Sequence, residues 1–226
     1  MASSFTQAQA LGQCELSLVT LTDGYKLHQS VVDDWHALVS GAQSAGFELA
    51  IVSSYRSFEQ QLAIWNGKAS GQRRVNDRHN KPLDIATLNS NELLNAILTW
   101  SALPGASRHH WGCDIDVFSP TMLTRNELQL EPWEYQNDGP MAALGKWLDN
   151  NLTQYGFFRP YRVDRGGVAI EPWHISHQAT AQYAEKKVTK TALIDAISGA
   201  DIHLKLQILD TLDDIYKRYV INTEPP

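Results

Sequence analysis

Ser107-Arg108-His109-His110-Trp111-Gly112-Cys113-Asp114-Ile115-Asp116 decides how this chain is read, together with Glu171-Pro172-Trp173-His174 further along. The two stretches supply two imidazoles, a carboxylate ligand and a spare glutamate, the inventory of a catalytic zinc site with its general base. A structural zinc site uses four protein ligands, usually rich in thiolate. Three nitrogen and oxygen ligands instead leave a coordination position open for water. From Cys113 to Phe118 the pattern is that of a strand, whose alternation puts Cys113, Ile115 and Val117 on one face and Asp114 and Asp116 on the other. Cys113 therefore belongs to the core, and both aspartates face the metal.

Strand geometry adds two constraints. Residues three apart on a regular strand point to opposite sides, so Glu171 and His174 share a site only if Pro172 interrupts the strand. His109, well ahead of Asp116, should lie in the loop entering the strand.

Working outward, Gln29 to Ala45 carries Val32, Trp35, Leu38, Val39 and Ala42 at helical spacing, with Gly46 where a helix stops. Phe47 to Val52 reads as a buried strand running into Ser53-Ser54-Tyr55-Arg56, and a helix follows from Ser57 as N-cap to near Gly67. Lys68 to Leu83 lacks periodicity and reads as a surface loop. Asn89 to Ser101 and Pro140 to Gly156 read as helices, the first capped by Asn89 or Ser90. After Gln178 the chain is helical in character: Lys190 or Thr191 opens one segment, Gly199 closes it, and Asp201 caps a last helix with a broad apolar stripe.

With 226 residues, 43% of them hydrophobic, and seven tryptophans, the chain can bury one principal core without a disulfide framework. Only Cys14 and Cys113 are present, which excludes a Cys-x-x-Cys metal knuckle. The net charge of -6 argues against a general nucleic-acid binder, and Gln72-Arg73-Arg74 reads as a solvated loop. No run of 18 apolar residues reads as a membrane span. Met1 to Gly12 has neither the basic region nor the apolar stretch of a secretory signal, so the expectation is a cytoplasmic protein; a periplasmic or extracellular site requires a removed signal or release by lysis.

The order Ser107-x-His109-x-x-Gly112-x-x-x-Asp116 and then Glu171-x-x-His174, preceded by Ser54-Tyr55-Arg56-Ser57 and Gln61, resembles the VanY-type D-alanyl-D-alanine carboxypeptidases. These belong to the LAS zinc metallopeptidases, which also include D-Ala-D-Ala dipeptidases, phage L-alanyl-D-glutamate endopeptidases and the hedgehog signalling domain. The likeness runs over roughly residues 27–178, and three separated motifs in order are far more specific than one. It sets a peptidase domain over residues 27–178 after an N-terminal segment over 1–26, while the apolar stripe in the helical C-terminal extension over 179–226 reads as packing on that domain, with a dimer face as the alternative.

By that resemblance His109, Asp116 and His174 hold one zinc per chain and Glu171 is the catalytic base. Arg56 binds a substrate carboxylate, Ser107 hydrogen-bonds the substrate, and Tyr55 and Gln61 join the substrate site. The implied fold is α+β: a small antiparallel sheet carrying the zinc, with helices packed on one side. The implied reaction is D,D-carboxypeptidase hydrolysis of the terminal D-Ala-D-Ala amide of a peptidoglycan stem peptide. An endopeptidase cutting inside the stem is the enzymatic alternative, and a hedgehog-like zinc module without hydrolysis is the non-enzymatic one. Glu171 and Arg56 speak against the module, which has no use for either.

Asp114 departs from the family, where a small residue is usual; it is expected to orient a histidine or to pair with Arg108. For Arg56 an ion pair inside the protein is the competing role. Trp111 and Trp173 flank the ligands and read equally as pocket lining or as core.

Overall fold

The computed structural model describes residues 5–225. A short helix α1 (Gln7–Ala10), capped by Thr6 and Gln9, leads into a hairpin of β1 (Leu18–Thr20) and β2 (Lys26–His28). Helix α2 (Val32–Ser44) buries Trp35, Leu38 and Ala42, the three- and four-residue spacing of one helical face. It stops at Gly46, whose φ of 89° suits glycine, as Gly46 N–H donates to Gln43 O at 3.0 Å and Phe47 N–H to Ala42 O at 2.9 Å. That closure holds Phe47 to the helix end. The following strand β3 (Ala50–Ser53) therefore starts later than Phe47, where the apolar run begins.

Helix α3 (Phe58–Ala69) opens on a capping box between Ser57 and Gln60 and continues past Gly67, so Lys68 is helical rather than part of a surface loop. The helix accepts Gly67 because the Arg73 side chain packs where a Cβ would stand, 3.1 Å from Arg73 Cγ and Cδ. Helix α4 (Ser90–Trp100) is capped by Asn89 with Glu92. Then come β4 (Asp114–Phe118), α5 (Ala142–Asn151), β5 (Phe157–Phe158) and β6 (His174–His177).

The tail consists of α6 (Gln178–Glu185), α7 (Lys190–Gly199), α8 (Lys205–Asp210) and α9 (Leu212–Ile215), the last continued by a wide turn to Val220. Helix α7 opens at Lys190 and closes at Gly199 as expected, with Thr189 as its N-cap. Asp201 caps nothing. Asn66 Nδ2 donates to Asp201 O at 2.8 Å, Trp65 Nε1 to His203 O at 3.0 Å and His203 N–H to Asn66 Oδ1 at 2.9 Å. Those bonds pin residues 201–203 to α3, and the helix starts only after Leu204.

The main sheet is antiparallel with strand order β3-β4-β6-β5. Every residue of β4 and β6, the two interior strands, is buried. Together with the helices this is the α+β arrangement expected. One core joins Phe5 and Leu11 near the N-terminus, Ile51, Ile115 and Ile175 of the sheet, and Ile208, Leu212 and Ile215 of the tail. Each such side chain contributes about 1.5–3 kcal/mol by leaving water. Among the described residues no helix is long and apolar enough to cross a membrane.

Candidate metal centre

Antiparallel register assembles the centre. Asp116 on β4 stands opposite His174 on β6, and Asp114 stands opposite Ser176. These four residues therefore share one face of two adjacent strands. His109 arrives from the tight turn Arg108–Trp111 just before β4. That turn ends at Gly112 with φ 65°, where a Cβ would lie 2.7 Å from Leu18 Cδ2 and 2.9 Å from the backbone nitrogen of His28. Glycine is required here on both counts.

His109 Nε2 lies 3.3 Å from Asp116 Oδ2, and His174 Nδ1 lies 3.2 Å from Asp116 Oδ1. One ligand atom from each of His109, Asp116 and His174 falls within 4.8 Å of the others. The residues fit a metal. Among the described residues Asp116 Oδ1 and His109 Nδ1 are buried without a hydrogen-bond partner, and Asp116 Oδ1 is close to His174 without being aligned to it. Burial lowers the proton affinity of His174, yet Asp114, Asp116 and Glu171 around it push its pKa well above the usual histidine value. Three carboxylates around one buried imidazole are a setting for a cation. Two imidazoles and a carboxylate, with no thiolate, suit zinc.

Asp114 is the support beneath the ligands. Fully buried, its Oδ1 accepts from Arg108 Nε at 2.7 Å and lies 2.9 Å from His174 Nε2, while Oδ2 accepts from Ser176 Oγ at 3.1 Å and Cys113 Sγ at 3.3 Å. Arg108 Nη2 also donates to Ser176 Oγ at 2.8 Å. Burial raises the Asp114 carboxyl, but Arg108 and His174 outweigh it and hold the group ionised, well below the usual range. Asp114 thus takes both expected roles: it pairs with Arg108 and faces the far nitrogen of a ligand histidine, leaving Nδ1 toward the metal position.

Glu171 is not on a strand. His174 N–H donates to Glu171 O at 3.1 Å, closing a turn through Pro172, and β6 begins only at His174. That turn brings Glu171 Oε2 to 3.4 Å from His174 Nδ1, on the cleft side of the ligands.

Arg56 lines the same cleft of about 270 Å³. Its Nη1 donates to Gln61 Oε1 at 2.7 Å and Nη2 to Ser53 Oγ at 3.1 Å, while Gln61 Nε2 donates to Ala102 O at 2.6 Å. The backbone is held too: Arg56 N–H donates to His109 O at 3.1 Å, and His110 Nδ1 lies 2.6 Å from Arg56 O. Among the described residues no carboxylate lies within ion-pair distance of Arg56, although Asp116 and Glu171 attract it across the cleft.

Gln61 is fully buried and acts through Arg56 rather than on the cleft surface. Ser107 lines the cleft, and among the described residues its hydroxyl makes no hydrogen bond. Tyr55 is not brought to the metal cleft: it lines a neighbouring groove, its hydroxyl donating to Gly12 O at 3.4 Å. His110 is excluded from the ligand group. Its Nε2 accepts Gly105 N–H at 3.0 Å, and burial pushes its pKa down to about 3. Trp173 lines the cleft, whereas Trp111 is core, donating to Ala10 O at 3.1 Å.

Of the cleft residues that escape a motif reading, two carry ionisable groups. Tyr161, in an irregular segment, stacks edge-on to His174 at 5.1 Å, and burial raises its pKa to about 12. No sequence signal marks it. Lys68 is the other, and its signal is helical: Gln61, Ile64 and Lys68 recur on one stripe of α3.

The family model for VanY, D-alanyl-D-alanine carboxypeptidase, matches residues 24–180. An uncharacterised Haemophilus influenzae protein is 35% identical over 126 residues, 54% of this chain and 96% of its own length. Among solved structures, VanYB in complex with D-alanine-D-alanine aligns with a TM-score of 0.55 at 21% identity, covering 84% of this chain and 92% of its own. A variant of the vancomycin-resistance D,D-pentapeptidase VanY, in complex with Zn(II), aligns with a TM-score of 0.53 at 24% identity, covering 76% and 89%. With the His109–Asp116–His174 group at its centre, this chain belongs to the VanY D-alanyl-D-alanine carboxypeptidase family of metallopeptidases.

Proposed function

We propose that the protein is a zinc-dependent D,D-carboxypeptidase that removes the terminal D-alanine from peptidoglycan stem peptides. The observation that carries this reading is the convergence, in one cleft, of the His109–Asp116–His174 group, the uncoordinated Glu171 and an Arg56 guanidinium without a carboxylate partner. The VanYB complex holds D-alanine-D-alanine and the VanY complex holds Zn(II), which supports the same substrate class and metal.

His109, Asp116 and His174 would hold the zinc, which would supply Lewis acidity to the scissile carbonyl and to the attacking water. Glu171 Oε2, on the cleft side of His174, accepts the proton from that water and returns it to the leaving amine. Arg56 offers its free edge to the terminal carboxylate, its plane fixed by Gln61 and Ser53. Ser107 offers its hydroxyl to the peptide. Tyr161 and Trp173 give the cleft an apolar wall beside the ligands.

Glu171→Ala is expected to keep its zinc by elemental analysis while releasing D-alanine from a D-Ala-D-Ala peptide at least about a hundredfold more slowly. Wild-type turnover in that variant would remove Glu171 from the mechanism. Cleavage of the wild type's substrate only at an internal bond, by mass spectrometry, would replace the carboxypeptidase with a stem-peptide endopeptidase.

A further inference from the structure

Lys68 enters the metal cleft from α3, two turns beyond Gln61, on the stripe that also carries Ile64. Gln61 on that stripe grips Arg56, so one helix positions two cations at one cleft. Among the described residues the Lys68 ammonium has no hydrogen bond and no ion pair. Arg73 stands next to it, packed across Gly67, with its backbone N–H donating to Gly67 O at 2.8 Å, and no carboxylate pairs with it either. Arg56, Lys68 and Arg73 repel one another.

Among the described residues Arg56 and Lys68, both partly buried, stand unpaired at one cleft in a chain of net charge -6, where carboxylates are in excess, and the solvent-exposed Arg73 adds to their positive field. The facing carboxylates are Asp116 and Glu171. Asp116 belongs to the metal group, and a dication there cancels the two carboxylate charges. A substrate's terminal carboxylate neutralises one positive charge, at Arg56, and leaves the Lys68 ammonium in the cleft without a partner.

We propose that Lys68, backed by Arg73, binds a second carboxylate of the substrate, so that the cleft selects peptides with an acidic residue close to the C-terminus in addition to the terminal carboxylate. The inference rests on the peptidase reading and specifies its substrate class. Burial, with Arg73 and Arg56, pushes Lys68 down to about 8 against the opposing pull of Glu171.

The test uses full-length zinc-loaded protein and peptides ending in D-Ala-D-Ala, with a carboxylate or its primary amide on the side chain of the third or fourth residue from the end. Wild type is expected to favour the acid over the amide in at least one pair by about tenfold in kcat/KM, carried by KM, the scale of one charge-assisted hydrogen bond. Lys68→Met should bring the members of that pair within about twofold, and Lys68→Arg should restore most of the preference. Calorimetric binding to the Glu171→Gln protein, with and without Lys68→Met, should show the same acid-over-amide difference without turnover.

Equal handling of acid and amide by wild type in every pair would overturn the proposal. So would a preference surviving in Lys68→Met, or an equal loss on both members, which would mean that Lys68 and Arg56 share the terminal carboxylate. If no peptide is cleaved but the acid peptide still binds more tightly through Lys68, the carboxypeptidase reading falls and the second-carboxylate site stands.

Discussion

Asp114 shows at the scale of one residue how a buried charge is maintained: Arg108 neutralises it, and Ser176, Cys113 and His174 fill its remaining lone-pair directions. Asp114→Asn keeps the shape but leaves the Arg108 guanidinium buried and uncompensated, for which about 3–5 kcal/mol of lost stability is expected. The same change removes the carboxylate facing His174 Nε2, so zinc affinity should drop about 10- to 100-fold in a chelator competition. Arg56→Lys tests the carboxylate contact, because a point-charge ammonium cannot reproduce the paired donors of a guanidinium. Amidating the substrate's C-terminus should depress the wild type strongly and the Arg56→Ala enzyme hardly at all. Equal cutting of free and amidated peptides by wild type would remove the exopeptidase assignment. Lys68 gives a pH dependence whose sign follows from its depressed pKa, set by burial and by Arg73 and Arg56 against Glu171. Between about 8 and the ordinary lysine value the unfolded chain holds a proton that the folded chain has released, so stability rises with pH across that window. Lys68→Met should therefore unfold at higher urea than wild type at pH 7.5, and the gap should narrow by about pH 10. The second-carboxylate preference runs the opposite way, present below about pH 8 and lost above it as the ammonium deprotonates.

At the scale of elements, the turn Arg108–Trp111 carries a metal ligand and also ties the sheet to the N-terminal hairpin. His28 N–H donates to Gly112 O at 2.8 Å, and Arg56 N–H donates to His109 O at 3.1 Å. The turn can make both bonds only if Gly112 adopts its left-handed conformation against β2 and Leu18. Gly112→Ala is expected to cost at least about 2 kcal/mol in urea unfolding, through backbone strain and a clash with main-chain atoms that cannot swing aside. Zinc affinity should fall with it, since His109 is three residues away; an unchanged affinity would mean that the turn and the hairpin are uncoupled. The element boundaries that a sequence reading misplaces have local causes. Phe47 is drawn back by the closure of α2, and residues 201–203 are held by side chains of α3. Periodicity sees neither, because one is a hydrogen bond across a turn and the other a contact between distant segments.

Across the whole molecule, the C-terminal helices are part of the wall that carries the cleft. Trp65 and Asn66 of α3 bond to His203 and Asp201, and α8 packs against α4, whose end supplies Trp100 to the cleft. Deleting residues 188–226 should therefore lower the urea midpoint and blur the acid-over-amide preference, since α3 and α4 lose their outer support. A truncated chain with unchanged midpoint and preference would make the tail dispensable.

How much of this was legible follows from where each interaction lies along the chain. His109, Asp116, Glu171 and His174 stand in two short motifs, and strand alternation alone put Asp114 and Asp116 on one face, because the backbone repeat fixes side-chain direction locally. The same reasoning required an interruption at Pro172, and the turn there satisfies it. Tertiary structure decided the rest: that Arg56 has no carboxylate within ion-pair distance among the described residues, that Tyr55 turns to another groove, that Lys68 belongs to α3 and lines the metal cleft, and that Tyr161 lies against His174. Each of these depends on residues far apart in sequence meeting across the sheet and α3, and charge pairing and burial are properties of that meeting rather than of any local pattern.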